Sequence, residues 1–184
     1  MVQKHGVMRV IASVRRWALA IGVLVVAGAI AAGMPGVRAA TRSVDVTIVA
    51  GKLQTGGGSL DFNGYQRGGM TVTVPVGWAV VVHFENADAA LPHSLAVLPA
   101  GGHQQVAPPD TPVFPGATTA NFSAGLRKGG KQTFTFEASK AGTYEFLCGV
   151  QGHAVAGAWA SLVVSATVDA PIVTPAGAAT IGVK

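Results

Sequence analysis

Beyond residue 40 the chain is punctuated too often for long helices. It carries 25 glycines and 10 prolines in 184 residues, and the stretches between them are short, β-branched and alternating. VDVTIVA (44–50), MTVTVPVG (70–77), AVVVHFEN (79–86), HSLAVLP (93–99), KQTFTFEA (131–138), GTYEFLCG (142–149) and AWASLVVSATV (158–168) each read as one strand. Pro75 marks a strand end or edge, because proline has no N–H to give a ladder. No helical periodicity of useful length competes with this pattern. Short runs at regular spacing predict an all-β fold, an antiparallel Greek-key β-sandwich. The Pro- and Gly-rich stretch 99–130 reads as an excursion with one short strand near 118–122. The last residues, 169–184, are mostly Ala, Pro, Thr and Gly and read as a loosely ordered tail.

The first 39 residues are of another kind. Lys4, Arg9, Arg15 and Arg16 precede the unbroken apolar run WALAIGVLVVAGAIAAG (17–33), and small residues follow it. A basic flank, an apolar core and a small-residue site describe a secretory signal. An N-terminal membrane anchor through residues 17–33 is the alternative, since the run is near the lower length limit for a span. Either reading exports the domain that begins at residue 40, to the periplasm or the cell exterior. The charge follows the same division. Five of the 13 basic residues lie in this segment and none of the 8 acids do, so the rest is balanced at eight of each. The formal charge of +5 is therefore no argument for nucleic acid as a partner.

Cys148 is the only cysteine. It cannot form an internal disulfide, and an unpaired thiol outside the cell is open to oxidation. The readings are a buried core residue, an intermolecular bridge, a nucleophile or a metal ligand. Cys148 ends one strand, His153 lies in the loop before the next, and His93 starts a strand 55 residues upstream. In a sandwich, loops at one end of both sheets cluster, so these three residues can meet. Two imidazoles and one thiolate suit a trigonal copper centre. No neighbouring acid and base set up a relay for a cysteine nucleophile, and none suits a hydrolytic zinc, so the chain is not read as an enzyme.

PHSLAVL (92–98) and FLCGVQGHAVAGAW (146–159) resemble the ligand segments of the cupredoxins. They are most similar to the sulfocyanin group, whose loop reads Cys-Gly-Val/Ile-Pro-Gly-His and ends in Gly-Met-Trp. The resemblance runs over residues 44–168. It implies a blue-copper fold, one mononuclear copper ion held by His93, Cys148 and His153, and one-electron transfer to redox partner proteins. It also implies that the Ser94 backbone N–H donates to the thiolate. One position departs from the pattern: the family's axial methionine is replaced by Ala158. Three expectations follow: a three-coordinate site with a raised potential, a water or small ligand in the gap, or a cupredoxin that senses or stores rather than shuttles. Met70 lies in another strand and Gln151 sits between two ligands, so neither is expected to substitute. His83 is expected to be a plain sheet residue, His103 exposed, Glu85 and Glu145 on solvent faces, and Tyr144, Phe146 and Trp159 in packing.

Overall fold

The computed structural model describes residues 42–53 and 59–184. The sequence segment 1–39, read as signal or anchor, lies outside the described residues. Among those described there are nine strands: β1 (Ser43–Ala50), β2 (Thr71–Pro75), β3 (Ala79–Asn86), β4 (Ala96–Pro99), β5 (Lys131–Glu137), β6 (Gly142–Leu147), β7 (Trp159–Ser165), β8 (Ile172–Thr174) and β9 (Ile181–Val183). One helical turn, α1 (His153–Ala156), precedes β7. The strands form two sheets, in the orders β5-β3-β1-β9 and β4-β6-β7-β2-β8.

The two-residue period of the sequence becomes two faces. Val44, Val46, Ile48 and Ala50 of β1, Val80, Val82 and Phe84 of β3, and Phe134 and Phe136 of β5 point inward. They meet Val72 and Val74 of β2, Phe146 of β6, and Ala160, Leu162 and Val164 of β7. Each large side chain fully buried in this layer is worth about 1.5–3 kcal/mol. β2 ends at Pro75, as the missing donor requires.

The sandwich is mixed rather than wholly antiparallel. β1 runs parallel to β3 and β2 parallel to β7. Strand direction is set by which sheet each connection crosses to, and the pattern within a strand carries no sign of that. The C-terminal residues also depart from expectation. Instead of a loose tail they add β8 antiparallel to β2 and β9 antiparallel to β1. Ile172, Val173, Ile181 and Val183 find open edges there, and the backbone pairing outweighs the Ala/Pro/Gly composition around them.

β6 is buried on both faces from Tyr144 to Leu147. Its outer face is covered by the 99–130 excursion and α1. Phe122 and Ala154 pack there on Ala96, Leu98 and Leu147, with Trp159 at the margin. The strand expected near 118–122 is reduced to a single bridge, Ala96 to Thr118, with Val97 N–H donating to Ala117 O and Thr119 N–H to Leu95 O. This second layer fixes the excursion beside the loop that carries Cys148 and His153.

Candidate metal centre

The loop after β3 is built by side-chain capping of backbone groups. Buried Asn86 donates through Nδ2 to Leu91 O and Leu126 O, and its Oδ1 accepts the Asp88 N–H. Asp88 Oδ1 accepts the N–H groups of Ala90 and Leu91. Such local bonds are what Asn and Asp do best in turns. They deliver His93 into the interior, fully buried, with its backbone N–H and C=O both bonded to Leu126.

Cys148 follows β6, and its N–H donates to Ala158 O at 3.0 Å, closing the loop between β6 and β7. Its Sγ is buried and accepts the Ser94 N–H at 3.4 Å, with Ser94 Oγ at 3.7 Å. Ser94 Oγ in turn accepts the Gly149 N–H at 2.8 Å. His153 starts α1, which is pinned to the excursion by the Gly152 N–H donating to Val106 O at 2.7 Å.

Three predicted residues from two distant segments therefore converge. Cys148 Sγ lies 3.8 Å from His93 Nδ1 and 3.6 Å from His153 Nδ1. The two imidazole rings are 5.0 Å apart and inclined at 55°. All three donor atoms fall within 4.8 Å of one another. A first-row metal about 2.0 Å from each nitrogen and about 2.3 Å from sulfur, with bonds about 120° apart, sets sulfur and nitrogen about 3.7 Å apart. The two sulfur–nitrogen spacings fit that geometry, and two nitrogens with one thiolate are a donor set suited to copper.

The electrostatics suit a metal site. Burial pushes the Cys148 thiol up, against the N–H groups of Ser94 and Val150 and the Ser94 hydroxyl. Burial pushes His93 down, with Asp88 opposing. Burial and the neighbouring His93 hold His153 down to about 4. Both rings are thus neutral and able to ligate, while the sulfur gives up its proton only when a metal replaces it. Asp88 resists the cost of burial because the N–H groups of Ser59, Ala90 and Leu91, and His93, hold it down to about 2.

Ala158, at the position where the resemblance expects an axial methionine, is buried in the same cluster as Cys148 and offers no donor. Met70 is buried, its sulfur 3.7 Å from Asn63 Nδ2. Gln151 is exposed. Of the other histidines, His83 is a sheet residue as expected, bonded to Asp45 Oδ1 at 2.8 Å and Thr133 Oγ1 at 3.1 Å. His103 is not simply exposed: it stacks on Trp159 with ring centres 4.0 Å apart and 9° between planes. Glu145 is buried rather than solvent-facing, because its carboxylate accepts the Gly101 and His103 N–H groups and His103 Nδ1. Strand alternation placed Glu145 on the outer face correctly. The 3-10 turn Gly102–Gln104 that covers that face had no signal of its own. Asp88 was not singled out from the sequence, and its only sign there was its place in the turn-forming ENADAALPH.

The sulfocyanin (SoxE) domain family matches residues 33–174 of this chain. A sulfocyanin of Sulfolobus acidocaldarius is 32% identical over 140 residues, spanning 71% of this chain and 67% of that protein. Among solved structures, a glutamine-for-methionine variant of rusticyanin superposes with a TM-score of 0.53 at 30% identity, covering 67% of this chain and 78% of the other. Another rusticyanin variant gives 0.50 at 25% identity, over 67% of this chain and 77% of that one.

Proposed function

Because the chain belongs to the sulfocyanin family of cupredoxins, we propose that it is an exported one-electron carrier in an extracytoplasmic redox chain, with one copper ion held by His93 Nδ1, Cys148 Sγ and His153 Nδ1. The observation that carries the reading is the convergence of those three donor atoms to spacings of 3.6 and 3.8 Å around the sulfur. Copper bound there supplies a couple between its singly and doubly charged states.

The chain's own residues do the rest. The thiolate and two imidazoles sit on the ends of paired strands and on a pinned loop, so the donor triangle is rigid and little rearrangement accompanies a change of charge. Ser94 N–H donates to the sulfur and withdraws charge from it. Burial of Cys148 and His93 keeps water from the sulfur side. His153 is the partly exposed member, and exposed Val155 and Val106 lie on the same loop and on its neighbour. That apolar rim suits a redox partner docked by shape, since the domain is close to neutral.

The buried Ala158 favours a second reading, a copper-binding module that uses an open axial position to bind a small ligand or sense copper rather than to shuttle electrons. Metal analysis and an optical spectrum of the purified protein decide. An electron carrier binds one copper per chain, shows an intense thiolate-to-copper band, and cycles it reversibly on reduction and oxidation; His153→Ala abolishes the band. Copper uptake with no such band, or cycling untouched by His153→Ala, would refute the carrier assignment.

A further inference from the structure

The two imidazoles of the centre are held in different ways. His153 has no carboxylate hydrogen-bonded to its ring among the described residues, and its ring is partly exposed. His93 is fully buried, and its Nε2, the nitrogen facing away from the sulfur, lies 3.4 Å from Asp88 Oδ2. We propose that Asp88 is a positioning residue for copper: it holds His93 with Nδ1 toward Cys148, and its negative charge favours the doubly charged ion over the singly charged one. This rests on the copper reading above.

The geometry assigns both parts. Asp88 is itself buried, and among the described residues three fixed N–H donors approach its two oxygens, Ala90 and Leu91 on Oδ1 and Ser59 at 2.6 Å on Oδ2, with His93 Nε2 at 3.4 Å from Oδ2. Three fixed N–H donors on its two oxygens favour the carboxylate over the protonated acid, and a carboxylate can only accept, so it selects the His93 tautomer that carries its proton on Nε2. An Nε2–H donated to Oδ2 leaves Nδ1 as the lone-pair nitrogen, the one 3.8 Å from the sulfur. The carboxylate cannot swing away. Its own N–H is bonded to Asn86 Oδ1. On its far side Gly51, at φ +70°, comes so close that a Cβ there would lie 2.4 Å from the Asp88 Cβ. Ser59, which feeds Asp88, is itself fixed by a hydroxyl bond to the buried Asp61. A fixed charge behind a ligand acts on the metal through the ring, and its effect scales with the ion's charge.

The test is Asp88→Asn, which removes the charge and keeps an oxygen able to face Nε2. Affinities for Cu(I) and Cu(II) are measured separately by chelator competition, and the potential by spectroelectrochemistry. The expected result is a fall of at least tenfold in the ratio of Cu(II) to Cu(I) affinity, which is a rise of about 59 mV in potential. A purely structural role would weaken both affinities alike and leave the potential in place, which would overturn the assignment. A wild-type protein that binds no copper sinks the copper reading and the charge claim with it; a wild type that binds copper while the variant's ratio is unmoved sinks only Asp88. Because the variant replaces one acceptor oxygen with an NH2 donor that faces backbone N–H groups and can unfold the loop, a second measurement uses the wild type. In nitrogen-15 spectra of the intact metal-free protein, His93 is expected to carry its proton on Nε2 and to exchange it more slowly than His153. A proton on His93 Nδ1, or exchange as fast as at His153, would overturn it.

Discussion

Gly149 sits between the ligand Cys148 and the rest of its loop, and the ring of Phe122 lies over it. A Cβ at position 149 would come 2.4 to 2.5 Å from three carbons of that ring. Ordinary carbon contacts are about 3.5–4.0 Å, so in Gly149→Ala the ring or the loop must move by about 1 Å. The ring has little room, being buried against Ala96, Leu98, Leu147 and Ala154. The loop moves instead at a cost: Gly149 N–H is bonded to Ser94 Oγ, which lies 3.7 Å from the sulfur. Overpacking of this size costs about 1–3 kcal/mol. At about 2–4 °C per kcal/mol for a domain of this length, the melting temperature falls by roughly 2–12 °C. Metal sites tolerate only about 0.2 Å in donor positions, so copper affinity falls as well, by the 10- to 100-fold typical of a disturbed supporting shell. Thermal unfolding of the metal-free protein and copper titration measure the two effects. Phe122→Leu in the same chain removes the ring edge and should restore copper affinity more than the single changes predict together. A Gly149→Ala protein with unchanged melting and unchanged affinity would refute the reasoning, because the ring would then not be seated on the loop.

Ala158→Met supplies a thioether at the axial side: the metal-free protein should lose about 1–3 kcal/mol from overpacking a buried site, while the copper form gains a donor, lowers its potential and shifts its visible spectrum. An unaltered spectrum would show that Ala158 is not beside the metal. The metal-free protein should also be acid-sensitive. His153 titrates at about 4 when folded, against an ordinary value near 6.5, and His93 is lowered too. Between those values the unfolded chain binds more protons than the folded one, so stability falls as pH drops from about 6.5 to about 4 and no further loss comes from His153 below that. Melting curves across this range check it, and a flat profile would mean that the imidazoles are not held neutral.

The residues of the centre were legible because a metal site constrains identity as well as position. A single thiol, with histidines at the ends of strand-like runs, leaves few other uses for those side chains. Glu145, His103 and Asp88 were not legible in the same way, since a carboxylate or imidazole on a turn or strand reads alike whether a distant turn covers it or water does.

By itself the sequence determined the strands β1 to β7, through alternation and the glycines and prolines between them, and it determined the kinds of donor available. These are local properties, set by side-chain period and chemistry. Only the tertiary structure decided that β1 and β3, and β2 and β7, run parallel, that the C-terminal residues complete both sheets, and that Asp88 stands behind His93 while Phe122 closes on Gly149. Those contacts join segments far apart in the chain. Their energy lies in the pairing of open strand edges and the burial of polar groups against specific partners, and no pattern within a single segment records it.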